Sequence, residues 1–282
     1  MTAAAGWSPT RWTAHVPTIA LVAAIGVAAV ARPAAPFILL ALLVAYPLAR
    51  WRGVASTSLA AVLPAAAILA WRSIGQPEAA PGGVDCANLL SAPAMWRLIE
   101  ALVGLLVLVA LVIDRRASFA DLGFHRGSRR VRALAVVGLL VLGPFAIYAG
   151  AVVGQGSVAG VSLFGPYQLD FSQPLALAPA LIFAGSNALA EELAYRGAMR
   201  TWLAPALGVT GANVAQAIVF GFAHTGEDFT GIEAVIPTML AMVVAGFVGG
   251  VIARRTGSLT LVLAIHAAAD IPIYFYWACR LG

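Results

Sequence analysis

Long stretches with almost no charge, each near the thickness of a bilayer, constrain this fold more than any other feature. In hydrocarbon the backbone must satisfy its own hydrogen bonds, and within a single segment only a helix does so. We therefore predict an all-α, polytopic transmembrane helical bundle with about eight or nine spans of roughly 20 residues. The apolar segments are 15–31, 36–49, 55–71, 98–113, 133–154, 176–198, 210–224, 234–253 and 259–278.

The scarcity of charge excludes an ordinary soluble domain. Only 10% of the 282 residues are charged and 61% are hydrophobic, with a mean hydropathy of +0.92. A soluble domain is about one quarter charged. All 17 basic residues are arginine. In a membrane protein such an excess is expected in cytoplasmic loops, so it does not indicate a nucleic-acid partner.

The placement of arginine predicts the orientation of the chain. Residues 114–132 carry six arginines and give the strongest cytoplasmic signal. Alternation from this segment places the N-terminus in the cytoplasm. It divides the arginines into 13 inside and 4 outside, the outer set being Arg32, Arg72, Arg97 and Arg280. The arginine-only, alanine-rich composition favours a bacterial source. We therefore expect an integral protein of the bacterial cytoplasmic (inner) membrane, surrounded by the lipid bilayer.

The arginine-rich segment also divides the chain into three regions. We predict that residues 1–113 are an N-terminal transmembrane anchor region that packs and anchors but carries no chemistry. Residues 114–132 are a cytoplasmic connector. Residues 133–282 are the core, because they hold nearly all the polar groups that fall inside apolar segments.

Two cysteines are present, Cys86 in a predicted outer loop and Cys279 near the C-terminus. Their spacing matches no metal-binding or redox motif. A disulfide between them is an open alternative, but we expect two free thiols.

Two adjacent carboxylates, Glu191 and Glu192, end the uncharged run 177–190. On a helix they point in different directions, since successive residues are about 100° apart. Glu192 lies one turn before Arg196 and can pair with it, whereas Glu191 has no local cation. A carboxylate inside a span is costly and therefore suggests function. On this stretch alone, a solvated pair at the membrane edge is an equal alternative.

Two later stretches add histidines to the spans. His224 follows Phe220 by four residues, so their rings share a helix face, and His266 precedes Asp270 by the same spacing. Each is weak alone, because a histidine at a helix end is more often structural and an aspartate can simply link helices. Together with Glu191 they form a set of carboxylates and imidazoles suited to activating water and stabilising an oxyanion.

These three motifs, in this order, resemble the CAAX protease and bacteriocin-processing family of intramembrane endopeptidases, also called the ABI family. Its Glu-Glu-x-x-x-Arg, Phe-x-x-x-His and His-x-x-x-Asn/Asp motifs correspond to residues 191–196, 220–224 and 266–270. The stretch 118–124 is similar to the Leu-Gly-Phe segment that precedes the family core. The close resemblance covers residues 175–278, and residues 1–113 show none.

The resemblance implies a role for each motif residue. Glu191 matches the general base that activates the attacking water, and His224 matches the histidine that works with it. His266 and Asp270 match the pair that stabilises the oxyanion. Asp270 stands where prenyl-protein-processing members have Asn, and an ionised Asp cannot donate a hydrogen bond. We expect it to orient His266 instead. The remaining motif residues match positions of structural support: Glu192, Arg196 and Phe220.

A metal site is the alternative to a glutamic mechanism. Glu191, His224 and His266 are a plausible ligand set for Zn²⁺. The chain lacks the His-Glu-x-x-His helix that sets a zinc site locally. We favour metal-independent chemistry with no cofactor, and Zn²⁺ remains the alternative.

The sequence thus predicts an intramembrane endopeptidase acting on membrane-anchored polypeptides through water activated by Glu and His. Protein or peptide maturation, bacteriocin processing and self-immunity all fit such an enzyme, and a bacterial source favours peptide processing or immunity over CAAX substrates. The alternative is a proton-coupled transporter or a non-catalytic membrane scaffold, because intramembrane Glu, His and Asp also build proton relays.

Overall fold

The computed structural model describes residues 9–52, 56–75, 86–154, 157–158, 161–162, 168–169, 172, 174–225 and 232–281. Within these ranges the helices are joined by turns and loops, and the β structure is limited to two pairs of two-residue strands. The predicted all-α helical class is therefore confirmed. Residues 1–8, and with them the predicted cytoplasmic N-terminus, lie outside the described ranges.

Nine α-helices follow one another in the described part of the chain, and they are numbered here in chain order. They are α1 Pro9–Val30, α2 Ala35–Trp51, α3 Thr57–Arg72, α4 Ala92–Asp114, α5 Arg129–Gly154, α6 Leu177–Glu191, α7 Arg200–Phe222, α8 Ile232–Thr256 and α9 Thr260–Ala278. A π-helix, Glu192–Met199, joins α6 to α7 without a break. Strands β1 Ser157–Val158 and β2 Val161–Ser162 pair with each other, as do β3 Gln168–Leu169 and β4 Arg280–Leu281.

The long run from α6 to α7 corresponds to two predicted segments, 176–198 and 210–224. They are separated at Gly208, whose φ of 71° and ψ of 164° interrupt the helical backbone within α7. Glycine adopts this positive φ without the steric penalty that a side chain would bring. The two predicted segments therefore belong to two helices, and the break between them lies at Gly208.

Four helical segments are long and apolar enough to cross a bilayer, judged by length and composition. They are Arg32–Trp51, Ala92–Asp114, Pro174–Phe222 and Val235–Thr256. Three shorter apolar helices accompany them: His15–Val30, Thr57–Arg72 and Thr260–Tyr276. The predicted total of eight or nine crossings stays a prediction, because these features do not establish which of the helices cross completely.

Helix α3 lies at the centre of the bundle. Every residue from Ala60 to Ala70 is buried, and six of these eleven are alanine. The helix packs against α1, α2, α4, α7 and the π-helix. Small side chains allow such close approach of several helices in a bundle. The C-terminal end of α3, at Arg72, is thereby held beside the helix that carries the two adjacent glutamates.

The connector between α4 and α5 packs on the start of α9. The Leu259 amide donates to the Gly123 carbonyl at 2.9 Å, and the Ser258 hydroxyl donates to the His125 carbonyl at 2.8 Å. Leu122 is completely buried, and a Cβ on Gly197 would lie 3.4 Å from its carbonyl oxygen. The π-helix therefore packs directly against this connector.

Asp121 stabilises the turn of this connector outside the spans. Its carboxylate accepts hydrogen bonds from the Ser118 amide at 2.7 Å and the Ser118 hydroxyl at 2.8 Å. These two hydrogen bonds favour the ionised form and lower the pKa of Asp121. The stretch that resembles the family's Leu-Gly-Phe segment is thus an ordered turn.

A disulfide links the chain before α4 to the end of α9. Cys86 and Cys279 are bonded, with their Cα atoms 5.2 Å apart across a sequence separation of 193 residues. The expectation of two free thiols is therefore wrong. Beside the bond, the Tyr274 hydroxyl donates to the Cys86 carbonyl at 2.6 Å and lies 2.8 Å from the Ser91 hydroxyl. Sequence spacing cannot reveal a pairing that depends on two distant helices meeting.

The disulfide between Cys86 and Cys279 can be tested by labelling the protein with a thiol-reactive polymer. Both thiols are engaged in one bond, so unfolded wild-type protein should not react with maleimide-polyethylene glycol until a reductant is added. After reduction it should gain two labels, measured as a shift on a denaturing gel. Cys86→Ser should gain one label without reductant, which serves as the positive control. Two labels on unreduced wild type would contradict the disulfide.

Candidate active site

The two adjacent glutamates lie where the helix geometry changes. α6 ends at Glu191, and the next eight residues are π-helical and all buried. A π-turn holds more residues than an α-turn, so successive side chains diverge less, and such segments are frequent at functional sites. Glu191 and Glu192 each have an exposed fraction of 0%. The alternative of a solvated pair at the membrane edge is therefore wrong.

His266 on α9 contacts three carboxylates. Its Nδ1 lies 2.8 Å from Glu192 Oε1, and its Nε2 lies 3.5 Å from both Glu191 Oε2 and Asp270 Oδ2. An imidazole with carboxylate oxygens at both nitrogens is best satisfied as the imidazolium, which donates from each nitrogen. The structure therefore brings four of the predicted site residues together around one ring.

Phe220 forms an aromatic surface under this group. Arg196 lies over its ring, with the guanidinium carbon 3.9 Å from the ring centroid. The centroids of the two imidazoles lie 4.6 Å (His224) and 6.0 Å (His266) from that of Phe220. Arg196 Nη1 also lies 3.2 Å from Glu192 Oε1, which is the pairing that the four-residue spacing predicts. Phe220 and Arg196 thus connect α7 to α9 and to α6 with its π-helical continuation, residues 177–199, which carries both glutamates and is called the motif helix here.

His224 lies at the end of α7 and is 9% exposed. Its Nδ1 lies 2.7 Å from the Phe220 carbonyl oxygen, which can only accept a hydrogen bond. Nδ1 therefore carries a proton, and Nε2 is the nitrogen left to act on a water molecule. Both imidazoles of the predicted site contact the same phenylalanine, but only His224 presents a nitrogen that can act as a base.

Two polar residues at the site were missed by the sequence analysis. Glu191 Oε1 accepts a short hydrogen bond from Arg72 Nη2, at the end of α3. Asn187, one turn before Glu191, accepts from the same nitrogen at 3.2 Å and donates to Asp270 Oδ2 at 2.8 Å. The four-residue spacing of Asn187 and Glu191 was a usable signal for the asparagine. No local spacing indicates Arg72, which lies 119 residues away.

Arg72 is held in turn by α4. Its Nη2 lies 2.7 Å from Glu100 Oε1, and its Nε lies 3.2 Å from both Glu100 oxygens. Arg97 Nη1 donates to Glu100 Oε2 at 2.8 Å. Arg72 is 2% exposed and Arg97 is 3% exposed. Both arginines are therefore buried in ion pairs, and their predicted place on the outer side of the membrane stays a prediction.

The ion pairs and close contacts form one continuous set, which we call the buried charge cluster. Its members are Arg72, Arg97, Glu100, Glu191, Glu192, Arg196, His266 and Asp270. Four carboxylates stand against three guanidinium groups, so an imidazolium at His266 makes the cluster neutral. Buried charges persist only when they are paired and hydrogen-bonded, which favours this protonation of His266.

Not every oxygen of the cluster is used. Glu191 Oε2 and Glu192 Oε2 are buried and accept no hydrogen bond from any residue that the structure describes. Glu191 divides its oxygens, with Oε1 engaged by Arg72 and Oε2 facing the His266 ring at 3.5 Å. A carboxylate oxygen with free lone pairs beside a donor ring can bind and polarise a water molecule.

The predicted zinc ligands do not fit a zinc ion in this arrangement. Among the described residues, no group of three or more His, Cys, Asp or Glu side chains could hold a metal ion. A ligating histidine must be neutral and direct a lone pair at the metal. His266 instead directs both nitrogens at carboxylates, and one oxygen of Glu191 is engaged by Arg72.

The fold and the site define a helical membrane protein with an enclosed acid–base centre. Residues 173–272 match the family model described as type II CAAX prenyl endopeptidase Rce1-like. The match spans all three motifs and confirms their resemblance to the CAAX protease family. That family indicates an enzyme, an integral membrane location and a membrane-associated polypeptide as substrate. Comparison with curated proteins and with solved structures found no match.

The pairing of Glu192 and Arg196 can be tested through stability. Arg196→Gln removes one partner of a buried ion pair and leaves a buried carboxylate short of a cation, which costs about 3–5 kcal/mol. We expect a lower Tm for the variant in detergent, followed by loss of intrinsic tryptophan signal. Arg255→Gln makes the same change at an exposed position of α8 and should leave Tm unchanged. Equal Tm values for the two variants would contradict the pairing.

Proposed function

We propose that this chain is an intramembrane endopeptidase in which Glu191 activates water for attack on a peptide bond. One observation carries the proposal: Glu191 Oε2 is buried, accepts no hydrogen bond within the described ranges and faces His266 at 3.5 Å. A general base must hold its reacting proton within hydrogen-bond reach. A water bound between this oxygen and the substrate carbonyl satisfies that requirement.

The reaction then follows from the positions of the side chains. Glu191 Oε2 takes a proton from the water while the water oxygen forms a bond to the carbonyl carbon, and the carbonyl π electrons move to its oxygen. The Nε2 lone pair of His224 orients the same water. When the tetrahedral intermediate collapses, the carbon–nitrogen bond breaks and the proton held by Glu191 passes to the leaving nitrogen. The carbonyl re-forms as the bond breaks, and the products are a carboxylic acid and an amine, which exchange a proton to become a carboxylate and an ammonium group.

His266 supplies the charge that stabilises the oxyanion. Its Nδ1 is engaged by Glu192 at 2.8 Å, whereas Nε2 lies 3.5 Å from the carboxylate oxygens of Glu191 and Asp270, so the imidazolium can direct Nε2–H at the oxyanion. Such donors are strongest in a site from which water is largely excluded. Asp270 accepts from Asn187 and faces His266, which supports an orienting role for it. The donor role therefore falls to His266 alone.

The substrate class follows from the membrane setting and the family. A membrane-anchored polypeptide can bring its scissile bond to a site enclosed by helices, which supports a role in protein or peptide maturation. With a bacterial source, bacteriocin processing or self-immunity is favoured over prenylated CAAX proteins. The cytoplasmic N-terminus, the inner-membrane location and the three regions 1–113, 114–132 and 133–282 belong to the same proposal.

Glu191→Gln is the direct test of proteolysis. The amide has the shape of the carboxylate but cannot take a proton from water, so cleavage should stop while the protein remains folded. We would compare membrane-associated peptide termini, by mass spectrometry, in cells that produce wild type or variant at matched abundance. Asp114→Asn, in an exposed ion pair of α4, is the control and should retain cleavage. Identical termini in all three strains would contradict the proposal.

Removal of metal tests the glutamic mechanism separately. Because the buried cluster satisfies both nitrogens of His266 without a metal ion, the purified protein should cleave at its original rate after treatment with a strong chelator. Cleavage is measured with the substrate found in the terminus comparison. Activity that is lost with the chelator and restored by added Zn²⁺ would show a metalloprotease and overturn the glutamic assignment.

A further inference from the structure

Arg72 occupies an unusual place for a residue of the predicted anchor region. One nitrogen, Nη2, contacts Glu100, Asn187 and Glu191 at once. These partners come from α4 and from two successive turns of α6. Arg72 is 2% exposed and Glu100 and Glu191 are 0% exposed, so water screens none of these contacts.

The geometry points to a specific role. We propose that Arg72 is a positioning residue that binds Glu191 through Oε1 and so leaves Oε2 directed at the reacting water. This inference rests on the proposed function, because it concerns the orientation of the general base. Without Arg72, either oxygen of Glu191 could turn away from the water, and His266 would be the one ion-pair partner left to it among the described residues.

The guanidinium group is itself oriented by α4. Nε and Nη2 of Arg72 both contact Glu100, so one edge of the planar group is engaged side-on by one carboxylate. Arg97 binds the other side of Glu100 at 2.8 Å and limits its movement. Lysine at position 72 would present a single ammonium group and could not hold Glu100 and Glu191 with the same geometry.

The backbone that carries Arg72 is also held firmly. α3 is buried along the eleven residues before it, and its alanines bring the surrounding helices close. An arginine at the end of such a helix has little freedom to follow a carboxylate that moves. The position of Glu191 is therefore determined by α3 and α4, outside the region that matches the family model.

A merely structural role for Arg72 is the competing explanation, in which it only neutralises Glu100. The two roles separate in the variants Arg72→Met and Arg72→Met with Glu100→Gln. Arg72→Met leaves surplus buried negative charge and should lower Tm. The double variant restores the net charge of the cluster, so its Tm should return most of the way to the wild-type value. If Arg72 orients Glu191, catalysis should stay low in both.

The assay uses an internally quenched farnesylated CAAX peptide and the full-length protein in detergent micelles. We expect kcat to fall about 100-fold in Arg72→Met and in the double variant, with KM within about twofold, since small misplacement of a reacting group has an effect of this order. Arg72→Lys should recover only part of kcat. Arg50→Met removes an arginine from an exposed ion pair and should match wild type. Recovery of both Tm and kcat in the double variant would overturn the inference.

A second measurement keeps the inference separate from the proposed function. If wild type cuts neither this peptide nor any cellular protein, the proposed function has failed. The Tm values of Arg72→Met, Glu191→Gln and the combined variant still test the contact. If the Tm shift of the combined variant equals the sum of the two single shifts, Arg72 and Glu191 do not interact and the inference is overturned. A combined shift clearly smaller than the sum would support it, because the two single changes then disrupt the same interaction.

Discussion

The ion pair between Arg72 and Glu191 is the interaction on which the rest of the site depends. A carboxylate buried among apolar helices is stable only beside a cation, and the local sequence around Glu191 provides none. Arg72 supplies it from α3, Glu100 holds Arg72 from α4, and Arg97 balances Glu100. The motif helix can therefore keep its charge only when α3 and α4 are packed against it.

The same requirement explains how α9 is held. His266 and Asp270 must meet carboxylates and an amide on the motif helix at hydrogen-bond distance, which requires a helix with little freedom to slide. At its start, Leu259 is bonded to Gly123 of the connector. At its end, Cys279 is linked to Cys86. The helix that carries His266, the proposed oxyanion donor, is thus attached at both ends to parts of the chain outside the motifs.

Burial of the charge cluster also strengthens the interactions that its proposed chemistry needs. A neutral cluster can be buried at moderate cost, and burial strengthens each of its electrostatic contacts because little water screens them. An imidazolium held among three carboxylates is a preorganised donor, which suits charge stabilisation in a transition state. The match to a CAAX endopeptidase family favours an enzyme over the proton-relay alternative, although both need ionisable residues within the spans.

The sequence by itself determined the helical class, the three motifs and the contacts between residues four apart, such as Glu192 with Arg196 and His224 with Phe220. These follow from local periodicity, because the helix repeat decides which side chains share a face. Only the tertiary structure decided that Arg72 binds Glu191, that Glu100 holds Arg72, and that Cys86 bonds Cys279. Such contacts join residues more than 100 positions apart or on separate helices, and no repeat in the sequence encodes which helices meet. The physical reason is that packing of whole helices, rather than local spacing, brings their charged groups together.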